Sequence, residues 1–151
     1  SVARRAIDMQ TLLVIAAAIG LGKAMQLSGL AMSIGDFLLK VVGSDPTMML
    51  LAVLTVTMLL GNLVTAKAGA VLMLPIVVAI ASELGVSNMP FIIAVMFASA
   101  TSLATPISYP TNLMVYGVGG YRFNDYLLLG VPLSMIIIAI GALMIPVFWA
   151  F

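Results

Sequence analysis

The sequence predicts an all-α polytopic membrane protein, and three observations carry that reading. Of 151 residues, 64% are hydrophobic and 7% charged, where a soluble domain would have about a quarter charged. Apolar runs of the length that crosses a bilayer recur between short turns rich in Gly, Pro and Asn. Two stretches inside this apolar background, around 61–69 and 99–120, carry small and polar residues where lipid tolerates neither loop nor frayed helix. They mark a helical hairpin and a discontinuous helix within a single transmembrane domain over 1–151.

The first block runs from about Ile7 to Val42, too long for one straight span of roughly 20 residues. Gly20, Gly22, Lys23, Gln26 and Ser28-Gly29 interrupt it. The expectation is a bent first span plus an interfacial helix over 9–42: a span over 9–22, a bend, then a helix over 30–42 near the interface. Asp36 and Lys40, four apart, are placed to pair across one turn. Gly43-Ser-Asp-Pro-Thr47 is a turn, with Ser44 or Asp45 as N-cap and Pro46 at the first helical position.

Residues 47–84 read as a helical hairpin. One arm ends at Gly61-Asn62, the tip is Thr65-Ala-Lys-Ala-Gly69, and the second arm carries Pro75 and closes at Glu83-Leu-Gly85. Two tight spans and one re-entrant hairpin fit the pattern equally. Val86-Ser-Asn-Met-Pro90 turns the chain into a broken helix over 90–117. Its first half is expected to reach about Ala104 and its second to run from Thr111 to Tyr116. Pro106 and Pro110 each remove a backbone donor and clash with the preceding turn, so 102–110 should be unwound. Ser99, Thr101, Ser102, Thr105, Ser108, Tyr109, Thr111 and Asn112 crowd this break. The competing reading is a polar loop outside the bilayer. Tyr121-Arg-Phe-Asn-Asp-Tyr126 reads as an interfacial segment, and 127–149 as the last span.

Function classes narrow quickly. The chain has no His and no Cys, and its net charge is +1. Imidazole-bound metals, thiolate chemistry and nucleic-acid binding are therefore set aside. An intramembrane aspartyl protease needs paired buried carboxylates, whereas Asp8, Asp36, Asp45 and Asp125 fall at block ends. A serine nucleophile lacks its base, and no serine neighbours Lys67 in sequence. The chain is not read as an enzyme. Lys67 sits among small residues between two apolar arms. At an interface it would snorkel; near the midplane it would need an anion. Lys23 is the weaker candidate of the same kind. Opening on Ser1 rather than Met suggests a processed product or an excerpt of something longer. Arg4 and Arg5 before an apolar run mimic a signal peptide, but too much hydrophobic sequence follows. Placing Arg4, Arg5 and Arg122 inside puts the N-terminus in the cytoplasm and the C-terminus outside, in an inner or plasma membrane.

The string Thr105-Pro-Ile-Ser-Tyr-Pro-Thr-Asn-Leu-Met-Val-Tyr-Gly-Val-Gly-Gly-Tyr-Arg-Phe-Asn-Asp-Tyr126 resembles the C-terminal signature of the divalent anion:sodium symporter family, within the wider ion transporter superfamily. Ile7-Asp-Met-Gln-Thr-Leu-Leu and Gly22-Lys-Ala-Met-Gln-Leu-Ser-Gly-Leu resemble the segment that opens that family's second half. The resemblance covers essentially the whole chain but one half of a family member. It implies one inverted-repeat unit, with substrate and sodium held between two such units. The expected function is secondary transport of a small divalent anion: dicarboxylate, sulfate or a related oxyanion. The expected substrate-binding residues are Thr65, Lys67, Pro110, Thr111 and Asn112, and the ion-binding residues Thr65 and Ser108. No cofactor is expected beyond Na+ as a coupling ion.

Expected partners are the lipid bilayer, the anion and a second repeat, either a missing N-terminal half or an inverted copy. The chain departs from the family at the hairpin tip, where Ala66 and Lys67 follow Thr65 in place of asparagine-bearing variants. It departs again at the break, where Ser108 replaces glycine and Pro110 a common glutamine. Lys67 could then act as a tethered counter-ion, giving sodium-independent exchange or uniport. The alternatives are a degenerate half-transporter and a non-transporting structural or assembly subunit.

Overall fold

The structure, a computed structural model, describes residues 9–151. Arg4 and Arg5, on which the expected orientation leans, lie outside the described residues, as does the start of the Ile7–Leu13 segment. Seven helices follow in order: α1 Met9–Leu27, α2 Leu30–Val42, α3 Pro46–Leu63, α4 Ala66–Leu84, α5 Met89–Ala100, α6 Pro110–Gly119 and α7 Phe123–Phe148. Helices α3, α4 and α7 are long and apolar enough to cross a membrane, and the bent pair formed by the end of α1 with α2 makes up to a fourth span. The chain is a polytopic, all-helical membrane protein.

Local chemistry sets most boundaries. The bend between α1 and α2 measures 73°. It falls at Ser28-Gly29, later than the glycines at 20 and 22 suggested, because of those three glycines only Gly29 takes a left-handed conformation, φ 74°. Gly20 and Gly22 stay helical inside α1. Asp45 caps α3 by accepting Thr47 N–H at 2.8 Å, with Pro46 in the first turn, as the turn sequence requires. Gly85 ends α4 at φ 66°, and Gly120 ends α6 at φ 64°. Asp36 turns towards Glu83 of α4 rather than pairing with Lys40. The two carboxyl groups share the wall of a cavity of about 530 Å³ with Gln26 and Ser82.

The core is where α3, α4 and α5 meet. Met49, Leu50, Val53, Val77, Ile80 and Phe91 are fully buried there. Their spacing places one apolar face of each helix inward. Helix α7 lies across α3 and α5, with Gly141 letting Phe97 approach so closely that an added Cβ would stand 3.0 Å from its ring. The outer face of α7 is apolar: Leu128, Leu129, Met135, Leu143 and Val147 are each about 70% exposed. Such faces belong in hydrocarbon, not water.

Candidate functional site: the hairpin tip against the broken helix

The hairpin closes on only two residues, Val64 and Thr65, and its tip rests on the irregular segment 101–109 between α5 and α6. Asn62 of α3 makes most of that junction. Its Oδ1 accepts Ala104 N–H at 2.9 Å, and its carbonyl accepts the Thr105 hydroxyl at 2.7 Å. Its own amide donates to Met58 O at 2.9 Å. One turn on, Ala66 N–H donates to Ser108 O at 3.3 Å. The tip and the break are therefore joined by hydrogen bonds.

Glycines make the approach possible. A Cβ on Gly61 would stand 2.2 Å from Ser102 Oγ, and one on Gly69 would stand 3.0 Å from Gly61 N. From the other side, a Cβ on Gly130 of α7 would meet Ala104 Cα at 2.5 Å and Leu103 O at 2.6 Å. Backbone thus packs on backbone at the break, which side chains of any size would prevent.

The unwound segment is satisfied mostly from within. Thr101 Oγ1 donates to Phe97 O at 2.8 Å and Ser102 Oγ to Ala98 O at 3.3 Å. Helix α5 ends at Ala100 instead of the expected Ala104. Ser108 Oγ lies 2.7 Å from both Ser102 O and Thr105 O, and its single proton is shared between them. Asn112 Nδ2 approaches Thr105 O at 3.4 Å and Ser108 Oγ at 3.5 Å. The break runs from 101 to 109, and Pro110 opens α6 rather than belonging to the unwound part.

Gly130 fixes where along α7 the break packs. Gly130 touches the break seven residues after Phe123 and eighteen before Phe148, where α7 begins and ends. At 1.5 Å per residue the break is about 10 Å from one end of a membrane-length helix and about 27 Å from the other. The break thus packs within the length of α7, nearer its N-terminal end.

The expected site residues fall into two groups. Ser108 is 2% exposed and locked into the break, its carbonyl partly used by Ala66. Thr65 is the N-cap of α4, its Oγ1 accepting Ala68 N–H at 3.2 Å. Lys67, in the first turn of α4, is exposed, and no acidic residue shares that turn. Pro110 and Thr111 are exposed and Asn112 half-buried, all in the first turn of α6. No side chain caps α6, so the N–H groups of Thr111 and Asn112 point out of the helix end unclaimed by a cap. The contact of Ala66 with Ser108 brings the N-termini of α4 and α6 together, both helix dipoles presenting their positive ends.

Three participants went unrecognised in the sequence. Asn62 was legible only as part of a helix-breaking pair, Ser102 as one hydroxyl among several, and Tyr126 as a headgroup residue. Tyr126 instead turns inward, its phenol donating to Asn112 O at 3.0 Å.

Residues 1–151 match the citrate transporter family (CitMHS) along their whole length. The chain belongs to that family. It is 38% identical over 130 residues to the uncharacterized transporter YfbS of Escherichia coli, covering 86% of this chain and 20% of that protein. It is 40% identical over 134 residues to the uncharacterized transporter sll0640 of Synechocystis, covering 87% and 22%. Sodium/sulfate cotransporter 2 of Chlamydomonas reinhardtii is 31% identical over 136 residues, covering 88% and 15%. The family and these relatives are transporters, not enzymes, in keeping with the divalent-anion symporter resemblance. The chain spans about a fifth of the length of the relatives YfbS and sll0640.

Proposed function

We propose that this chain forms part of a secondary transporter for a small divalent anion, a dicarboxylate, sulfate or a similar oxyanion, which binds where the hairpin tip meets the N-terminus of α6. The observation that carries the reading is the meeting of two helix N-termini beside a lysine inside the length of a membrane-crossing helix. Each N-terminus contributes roughly half a positive charge. With the Lys67 ammonium the total comes to about two, enough to balance a dianion leaving water. Thr65, Thr111 and Asn112 supply hydroxyl and amide donors, and Pro110 shapes the first turn of α6. In the sodium-coupled alternative, in which Lys67 is interfacial, Thr65 and Ser108 are the candidate oxygen ligands for the coupling cation. The spare lone pair of the Ser108 carbonyl and the Ser108 hydroxyl support this assignment.

A site on one face of one unit needs a second wall. A preceding repeat or an inverted second copy supplies it in this reading, in an inner or plasma membrane with the N-terminus cytoplasmic. The sodium/sulfate cotransporters among the relatives support an oxyanion, and the family description supports a carboxylate.

The test uses the full-length protein in proteoliposomes, with labelled sulfate and succinate and with sodium replaced by choline. With Lys67 standing in for a cation, uptake persists in choline, is abolished in Lys67→Ala and is retained in Lys67→Arg. Strict sodium dependence of the unsubstituted protein would reject the tethered-cation role and return Lys67 to an interfacial one. Absence of any anion uptake or binding would favour the non-transporting subunit.

A further inference from the structure

Helix α6 carries the exposed half of the proposed site, yet it buries none of its own residues. Its place in the fold is therefore set by what holds its ends. On one side it continues into the break. On the other, Tyr126 of α7 reaches back fourteen residues, its phenol donating to Asn112 O at 3.0 Å. The Tyr126 ring is wedged between Tyr116 and Tyr121, with edge-on centroid separations of 6.0 and 6.3 Å. Helix α7 starts at a fixed point, because Asp125 Oδ2 accepts Arg122 N–H at 2.7 Å while Asp125 N–H donates to Arg122 O at 3.0 Å. One turn after Tyr126, Gly130 seats on Leu103 and Ala104. The first two turns of α7 thus grip the break at both ends, by backbone contact at 103–104 and by one phenolic hydrogen bond at 112.

From this we infer that Tyr126 is a positioning residue: its hydroxyl holds the N-terminal turn of α6 at the angle that presents Thr111 and Asn112 to the anion. The inference rests on the proposed anion site. Tyrosine alone among the apolar and aromatic residues of this segment combines the reach with a donor. The bond is made to a backbone carbonyl, so it constrains the helix and not one rotamer. Beside it lies a cavity of about 320 Å³ lined by Leu103, Asn112, Tyr121, Asp125 and Gly130. A loosened α6 would have room to tilt into it.

Tyr126→Phe keeps the ring and removes only the donor, worth about a two- to tenfold change in an equilibrium constant. In the full-length protein it is expected to raise the half-saturating sulfate or succinate concentration by that factor, with maximal rate and membrane abundance unchanged. A purely structural role would lower abundance or rate instead. A spin label on Met114→Cys, 71% exposed on α6, reads the tether independently of transport. Tyr126→Phe should mobilise that label, and saturating anion should restore its order. An unchanged half-saturation, or a label equally immobile in both proteins, would overturn the inference. If the unsubstituted protein shows no anion response while Tyr126→Phe still mobilises the label, the anion site fails and the tether stands.

Discussion

The residue that does most at the junction is Asn62, through three hydrogen bonds from a side chain and backbone only 8% exposed. Asn62→Ala strands the buried Ala104 N–H, a loss of about 1–3 kcal/mol. It should lower the melting temperature of the detergent-solubilised protein, whereas Asn62→Asp keeps an acceptor for Ala104 and loses only the Met58 bond together with the penalty of a buried charge. An unchanged melting temperature in Asn62→Ala would contradict the bonding described. In sequence Asn62 is a polar residue near a helix end, which local rules read as a stop signal. Its partners lie 42 and 43 residues away, and no local pattern encodes that distance. Thr65 and Ser108 are singled out through the family resemblance, at the hairpin tip and the break, and not through any local pattern.

At the scale of elements, the hairpin, the broken helix and the last span were readable from proline, glycine and hydroxyl punctuation. Their ends were not always. Gly20 and Gly22 look like a bend but do not make one, since glycine in a helix costs only about 1 kcal/mol and leaves the hydrogen bonds intact. The bend needs a positive φ, and sequence cannot say which glycine takes it. Packing glycines are equally silent in sequence, yet they can be ranked by what a methyl group would strike. Gly61→Ala meets the end of a rotatable serine, so it should cost about 1–3 kcal/mol and be largely relieved by Ser102→Ala. Gly130→Ala meets backbone atoms on both counts and has no such escape, so it should be the more damaging of the two. Thermal unfolding of the three variants orders them; Gly130→Ala melting like the unsubstituted protein would mean α7 does not seat on the break.

For the whole molecule, the arrangement joins a helical hairpin to an unwound segment held within the length of α7, and it brings two helix N-termini together, with Lys67 in the first turn of one of them. Composition alone established the membrane class, because eleven charges cannot solvate a surface of 151 residues. The position of the break along α7 depends on Gly130, a contact between α7 and a backbone 26 residues earlier, which no local pattern in the sequence encodes. The chain has no cysteine of its own, so Ile107→Cys serves as a single reporter in a full-length protein in which any cysteine outside these residues is replaced. Ile107 is 56% exposed within the break and is not a proposed ligand. The direct measurement is the rate at which a small, charged, water-soluble thiol reagent modifies that cysteine, with and without sulfate or succinate. An anion site in the break predicts ready modification that either anion slows, with the protection lost in Lys67→Ala. No modification, or modification indifferent to both anions, would contradict it.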